Sequence, residues 1–236
     1  MSFDTVLITG ANRGIGLELT RQLLAAPKPP QHLIVTVKDI NNNNNNKTGG
    51  KLYDLSAAHP DRLHVLELDG HKFDTYAQFA RQVHQILGPL GLDTLINNAG
   101  ILYNTGLEDV QPSDMLDNFQ VNTMMPLFLT KQLLPELKIY IQLLNRKTMV
   151  VNITSVLGSV SQYSATRLTP FPSYPYRTSK SALHMINKLL ANDLREDGIL
   201  VVAIHPGWLQ TDMGGPVAPG SVEKKYYKTI ERIGPG

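Results

Sequence analysis

Six short runs of branched apolar residues constrain this chain more than any other feature. They fall at 5–9 ("TVLIT"), 32–37 ("HLIVTV"), 63–69 ("LHVLELD"), 92–99 ("LDTLINNA"), 149–155 ("MVVNITS") and 199–207 ("ILVVAIHPG"). They are continuous instead of alternating with polar residues, as expected of strands buried on both faces. Segments of helical period separate them at 15–26, 74–87, 113–144 and 175–196, with Pro126 and Pro135 near turns of the third. Strand and helix in alternation predict a single-domain α/β protein across residues 1–236. Its sheet is doubly wound and mostly parallel, with helices on both faces.

Three stretches fall outside the alternation. The polar tract at 41–51, "NNNNNNKTGGK", predicts a mobile surface loop after the second strand. Residues 156–174 and much of 212–222 are rich in Gly, Pro, Ser and Thr and read as loops. Both follow the C-terminal ends of strands, where open α/β sheets bind ligands, so they are expected to wall a substrate pocket.

Composition excludes several classes of function. The chain has no cysteine, which removes disulfides, thiolate metal sites and cysteine nucleophiles, and no other metal site is expected. A formal charge of +2 with scattered basic residues leaves no footprint for nucleic acid or an anionic membrane. No window reaches the ~18 uninterrupted apolar residues of a membrane span. "MSFDTVLITG" lacks the basic then apolar layout of a signal peptide, so the expected address is cytoplasmic and the expected partner a small molecule.

The glycines of "TGANRGIG", at 10, 14 and 16, lie between the first strand and an amphipathic helix. Such a turn brings backbone amides to a pyrophosphate at the positive end of a helix, the dinucleotide site of a Rossmann-type sheet. Its spacing differs from GxGxxG. At the end of the second strand, "VTVKD" puts Lys38 after Val37 where an acidic residue would take the ribose hydroxyls of NAD. Lys38 with Arg13 favours the extra phosphate of NADP, although Asp39 stands adjacent. In "NNAG" (97–100), Asn97 ties the fourth strand to a neighbour and Gly100 lets a cofactor come close; an Asn-rich turn explains the tetrapeptide equally well.

"NITS" sets Ser155 at a strand's C-terminal edge, where a hydroxyl can donate to a developing alkoxide. No GxSxG elbow accompanies it, which argues against a serine hydrolase. In "YPYRTSK", Tyr176 and Lys180 are four apart and share a helix face. The ammonium beside the phenol is expected to favour phenolate and move a pKa of ~10 toward the working range. Tyr174 has the uncharged Thr178 at that spacing and is the weaker candidate.

"TGANRGIG", "NNAG", the "VN" of Asn122, "ITS", "YRTSK" and "HPGW" stand in the order and spacing of the classical short-chain dehydrogenases/reductases, which the chain resembles from residue 5 to about 214. "TGANRGIGLELTRQLL", "YRTSKSALH" and "HPGWLQTDMGGPVAP" look most like the C-factor-like and sniffer-like carbonyl reductases. The resemblance implies reduction of an aldehyde, ketone or quinone with NADP(H), or the reverse, with NAD(H) less favoured. It makes Tyr176 the general acid and gives Lys180 the nicotinamide ribose and the tyrosine pKa. Ser155 orients the carbonyl, and Asn122 holds a water in a proton relay to Lys180. Gly10, Arg13, Gly14 and Ile15 match the phosphate turn, and Asp69 the adenine contact. Asn98, Ala99 and Gly100 match the central cofactor wall, and Pro206, Gly207 and Thr211 the segment closing over nicotinamide and phosphates. The loop at 156–174 and Trp208 would shape the substrate pocket. Tyr163, Phe171 and Leu209 point to an apolar or aromatic substrate.

Three departures from that pattern carry expectations of their own. Gly70 and His71 replace the usual apolar residue after Asp69 and are expected to loosen the adenine contact, with His71 a surface loop residue. The asparagine tract replaces a short turn beside the adenosine phosphate. After a helical "VEKKYYKTIERIG", the final apolar strand is expected to be absent, altering any homodimer surface built from it. The alternative function is a cofactor-binding regulatory or signalling protein with little turnover.

Overall fold

A computed structural model describes residues 3–40, 49–163 and 172–222. Phe171, the asparagines of 41–46 and the segment 223–236 lie outside them. Six parallel strands form one sheet: β1 (Thr5–Ile8), β2 (His32–Val37), β3 (Leu63–Glu67), β4 (Thr94–Asn97), β5 (Thr148–Ile153) and β6 (Ile199–Ile204). Their order is β3-β2-β1-β4-β5-β6, and every neighbouring pair is parallel. The chain crosses from one half of the sheet to the other between β1 and β4, so their C-terminal ends open the crevice where such sheets take ligands.

The continuous apolar runs have a direct packing reason. Successive residues of a strand point to opposite faces. Val6, Ile8, Leu33, Val35, Ile96 and Val151 therefore pack on one side, with Leu19 and Leu23 of α1 (Gly14–Leu24) and Leu52 of α2 (Gly49–Ala58). Leu7, Ile34, Leu95 and Val150 face the other side. There they meet Phe79 and Val83 of α3 (Tyr76–Leu87) and Leu129 and Leu133 of a long later helix. A polar residue at any of these strand positions would be buried whichever way it pointed.

The sequence expectation and the structure differ in two elements. Residues 49–51, read as part of the polar loop, begin α2, in which Leu52 is fully buried against the sheet. The glycines at 49 and 50 hid that start, because glycine lowers helix propensity while burial of Leu52 overrides it. The segment read as one helix over 113–144 is α4 (Pro112–Phe119), a π-helical turn (Gln120–Met124) and α5 (Met125–Leu144). Pro126 has no N–H for the carbonyl of Asn122 four residues back. The bonding slips by one residue, and the Met125 N–H donates to the Gln120 carbonyl instead. Pro135 lies inside α5 on its exposed face, where water can serve the carbonyl left without a donor. The last helix among the described residues, α6 (Tyr174–Asp193), starts two residues before Tyr176.

Candidate active site

The C-terminal ends of β1, β4 and β5 border one cleft of about 580 Å³. Its floor is the turn after β1. Gly10 and Gly14 take left-handed φ of 67° and 54°. A Cβ at Gly16 would come within 2.4 Å of the Gly10 carbonyl oxygen, so the turn can wind this tightly only around glycine. Arg13, at the N-cap of α1, is extended and its side chain makes no capping bond. The helix end thus presents its positive pole to the cleft.

Neighbouring strands hold this turn in place. Asn98 Nδ2 donates to the carbonyls of Thr9 (2.8 Å) and Gly10 (3.0 Å). Thr9 Oγ1 accepts from the backbone amides of Asn98 and Ala99, both at 3.0 Å. Thr36 Oγ1 accepts from the Gly10 amide at 3.2 Å. Asn97 lies deeper, donating at 2.9 Å to Asn152 Oδ1, and Asn152 donates at 2.9 Å to Asn187 on α6. The two adjacent asparagines do different work: Asn97 joins β4 to β5, and Asn98 fixes the turn. Thr9, Thr36 and Asn152 escaped the sequence reading, since single polar residues at strand ends carry no periodic signal.

The cations at the glycine-turn end are already engaged. Arg13 Nη1 pairs with Asp212 Oδ2 at 2.9 Å, and Lys38 Nζ lies 3.9 Å from Asp69 Oδ1. All four side chains line the cleft. Lys38 and Arg13 are well exposed, so an incoming anion can compete for them.

At the other end, α6 buries Tyr176 (8% exposed) and Lys180 (4%) beside Ser155 (6%). The Ser155 hydroxyl is close enough to the Tyr176 phenol to pull its pKa down, and it accepts from the Leu157 amide at 3.2 Å. Lys180 Nζ donates to the Ile153 carbonyl at 2.8 Å and sits 5.8 Å from the centre of the Tyr176 ring. Burial pushes the phenol up to about 12, against the downward pull of Ser155. It pushes the Lys180 ammonium down to about 8. The expected lowering of the tyrosine is therefore reversed in this structure: desolvation is the largest influence, and the downward pull comes from Ser155. At neutral pH the phenol keeps its proton and most of the ammonium its charge.

Asn122 does not line the cleft; it lies one layer behind, fully buried in the π-helical turn. Its Nδ2 donates to the Ile101 carbonyl (2.8 Å) and Ser179 Oγ (3.1 Å), and its Oδ1 accepts from the Ile101 amide (2.9 Å). A Cβ on Gly100 would lie 3.2 Å from that oxygen and 3.8 Å from Lys180 Nζ. Gly100 thus leaves the narrow space between Asn122 and Lys180 open.

Ile15, Gly100, Pro206, Gly207 and Thr211 border the cleft, as do Trp208 and Leu209. Trp208 Nε1 donates to the Gly214 carbonyl at 2.7 Å, folding its segment back on itself. Tyr163 and Tyr174 do not border it. Tyr163 is 57% exposed and stacks under the Arg177 guanidinium at 5.4 Å, so it forms no part of this wall. Among the described residues no His, Asp and Glu cluster is built to hold a metal, and no helix is long and apolar enough to cross a membrane.

A doubly wound sheet whose switch-point crevice joins a glycine turn to a buried Ser, Tyr and Lys defines a Rossmann-type oxidoreductase. The chain belongs to the short chain dehydrogenase family, whose model matches residues 4–221. It is similar to C-signal of Myxococcus xanthus, at 40% identity over 154 residues, 63% of this chain and 84% of that protein. Among solved structures it resembles the carbonyl reductase Sniffer of D. melanogaster, at 37% identity and a TM-score of 0.85 over 94% of this chain and 87% of that one. The NADPH-bound carbonyl reductase from chicken fatty liver superposes with a TM-score of 0.86 at 33% identity, covering 94% and 88%.

Proposed function

We propose that this protein reduces a carbonyl group to an alcohol with NADPH, and that Tyr176 is the general acid. The observation that carries this reading is the convergence of Ser155, Tyr176 and Lys180 at one end of a cleft whose other end is a glycine turn. The residues fit a nicotinamide dinucleotide: the N-terminus of α1, the glycine-wound turn before it and the exposed Arg13 and Lys38 suit a chain of phosphates. When bound, that cofactor supplies the hydride received by the carbonyl carbon.

The chain's own residues handle the oxygen. Tyr176 donates its proton as negative charge builds there, and Ser155 donates a second hydrogen bond to the same atom. A phenol pushed up to about 12 remains protonated until a strongly basic alkoxide forms beside it. The ammonium of Lys180 stabilises the phenolate left behind, and the water chain that reprotonates it runs past Gly100 and Asn122. Trp208 and Leu209 favour an apolar or aromatic substituent on the substrate. Lys38 after Val37, with Arg13, favours NADP over NAD.

The test is NADPH oxidation by the purified protein against aldehydes, ketones and quinones, run beside Tyr176→Phe. Turnover that vanishes in the variant while NADPH still binds is the expected result; full turnover in Tyr176→Phe would overturn the assignment. Lys38→Ala should weaken NADPH more than NADH, and equal weakening would sink the cofactor preference.

A further inference from the structure

His71 is one of the positions where this chain departs from the pattern that it otherwise follows, and the structure gives the departure a use. Asp69 leaves the end of β3 and lines the nucleotide end of the cleft. Its Oδ1 accepts twice from His71, from the backbone amide at 3.1 Å and from ring Nδ1 at 3.1 Å. An ionised carboxylate only accepts, so Nδ1 is the donor. Although burial pushes the Asp69 carboxyl up, the two bonds from His71 and the Lys38 charge hold it below its ordinary range. Among the described residues its Oδ2 takes no hydrogen bond. The other ring nitrogen, Nε2, is buried 3.4 Å from Asp117 Oδ1, off line for a hydrogen bond. Gly70 permits this arrangement, because a Cβ there would lie 3.0 Å from Met125 Sδ and 3.3 Å from Val121. The glycine lets the turn press against α5, and the histidine folds back onto the aspartate instead of pointing to solvent.

We propose that His71 is a positioning residue for base recognition: by fixing one Asp69 oxygen it leaves the other as a directed acceptor for the exocyclic amine of adenine. The cleft then discriminates 6-aminopurine from 6-oxopurine dinucleotides. A 6-oxo group would set its own lone pairs against the carboxylate, leaving both unpaired. A carboxylate free to rotate would lose much of that discrimination, since it could turn away from the wrong base.

This inference rests on the cofactor reading above, and calorimetric titration of ligand-free protein separates the two. The ligands are NADPH, its analogue with hypoxanthine in place of adenine, and reduced nicotinamide mononucleotide, which lacks the base. Wild type should bind NADPH about tenfold more tightly than the hypoxanthine analogue, the scale of one hydrogen bond to a charged group. In His71→Leu the ratio should fall to about twofold. His71→Phe keeps a ring, removes the donor and should show the same fall, which covers a leucine variant that does not fold. His71→Asn restores a donor and should recover part of the ratio. The mononucleotide should bind all folded variants alike. An unchanged ratio in the leucine or phenylalanine variant overturns the role of His71. A wild-type ratio near one overturns recognition of the amine. Failure of wild type to bind NADPH defeats the cofactor reading and this inference with it.

Discussion

The two ends of the sheet bury ionisable groups to similar depth and use them differently. At the N-terminal end, Asp93 is 5% exposed and accepts from the Asp4 amide and Thr94 Oγ1, both at 2.8 Å. Asp4 in turn accepts from the Tyr140 hydroxyl at 2.6 Å and Arg146 at 3.2 Å. The network ties β1 to β4 and α5, and Asp93 borders no part of the cleft. At the C-terminal end Lys180 is equally buried, yet it borders the cleft beside Tyr176 and Ser155. Burial pushes Asp93 up to about 6 and Lys180 down to about 8. A perturbed titration therefore marks both ends alike. What separates them is open volume: Lys180 borders a cleft that a ligand can enter, and Asp93 does not.

The largest effect should come from Lys180→Met. Turnover should fall by ~10²-fold or more, as for loss of other preorganised charges at a reacting centre. Thermal stability should not fall. A lysine whose folded pKa is depressed adds stability only above its unfolded value and loses it as pH drops through about 8, so the native state carries the full cost at pH 7. If scanning calorimetry instead shows a lower Tm and turnover survives, Lys180 belongs with Asp93 as a structural group.

The pH profile sharpens the same contrast. In the reducing direction kcat/KM should stay level up to about pH 8 and fall roughly tenfold per unit above it, as the Lys180 ammonium discharges. Tyr176, pushed up to about 12, cannot produce that limb. Lys180→Arg should move it upward, and a limb that stays in place would assign it to another group.

At the closed end, Asp93→Asn should leave turnover within about twofold. The folded pKa of Asp93 is raised, so its contribution to stability is complete below the unfolded value and is lost as pH rises through about 6. The amide should gain about 2 kcal/mol over wild type at pH 8 and lose that advantage near pH 4, measured by urea unfolding. An equal effect at both pH values would contradict a buried charge as its source. The smallest change should follow Asp212→Asn. Its pair with Arg13 is about half exposed on both sides, so stability should move by less than about 1 kcal/mol.

Much of the scaffold was legible because burial on two faces writes itself into every strand residue. The run at 32–37 is β2, the run at 199–207 opens with β6 and overshoots it by three residues, and the glycine turn stands where the first strand ends. The helix over Gly49–Ala58 was not legible, since its signal is one buried leucine behind two glycines. Nor was the π-helical turn: Pro126 announces a break in bonding, but only packing against Ile101 and Ser179 explains why the slip leaves Asn122 facing inward. Sequence spacing put Tyr176 and Lys180 on one helix face correctly and gave the wrong direction for the phenol, because spacing carries no information about desolvation.

The sequence by itself determined the alternation that builds a parallel sheet, the glycine positions in the phosphate-type turn, and the identity of the side chains able to move a proton. These are local properties, fixed by periodicity, backbone freedom and chemical type. Tertiary structure decided which buried charges meet open space, which way burial drives each pKa, and that a histidine four residues beyond β3 turns back onto Asp69. Those outcomes depend on distances across the sheet and on the exclusion of water, and both exist only once α5, α6 and the six strands have packed together.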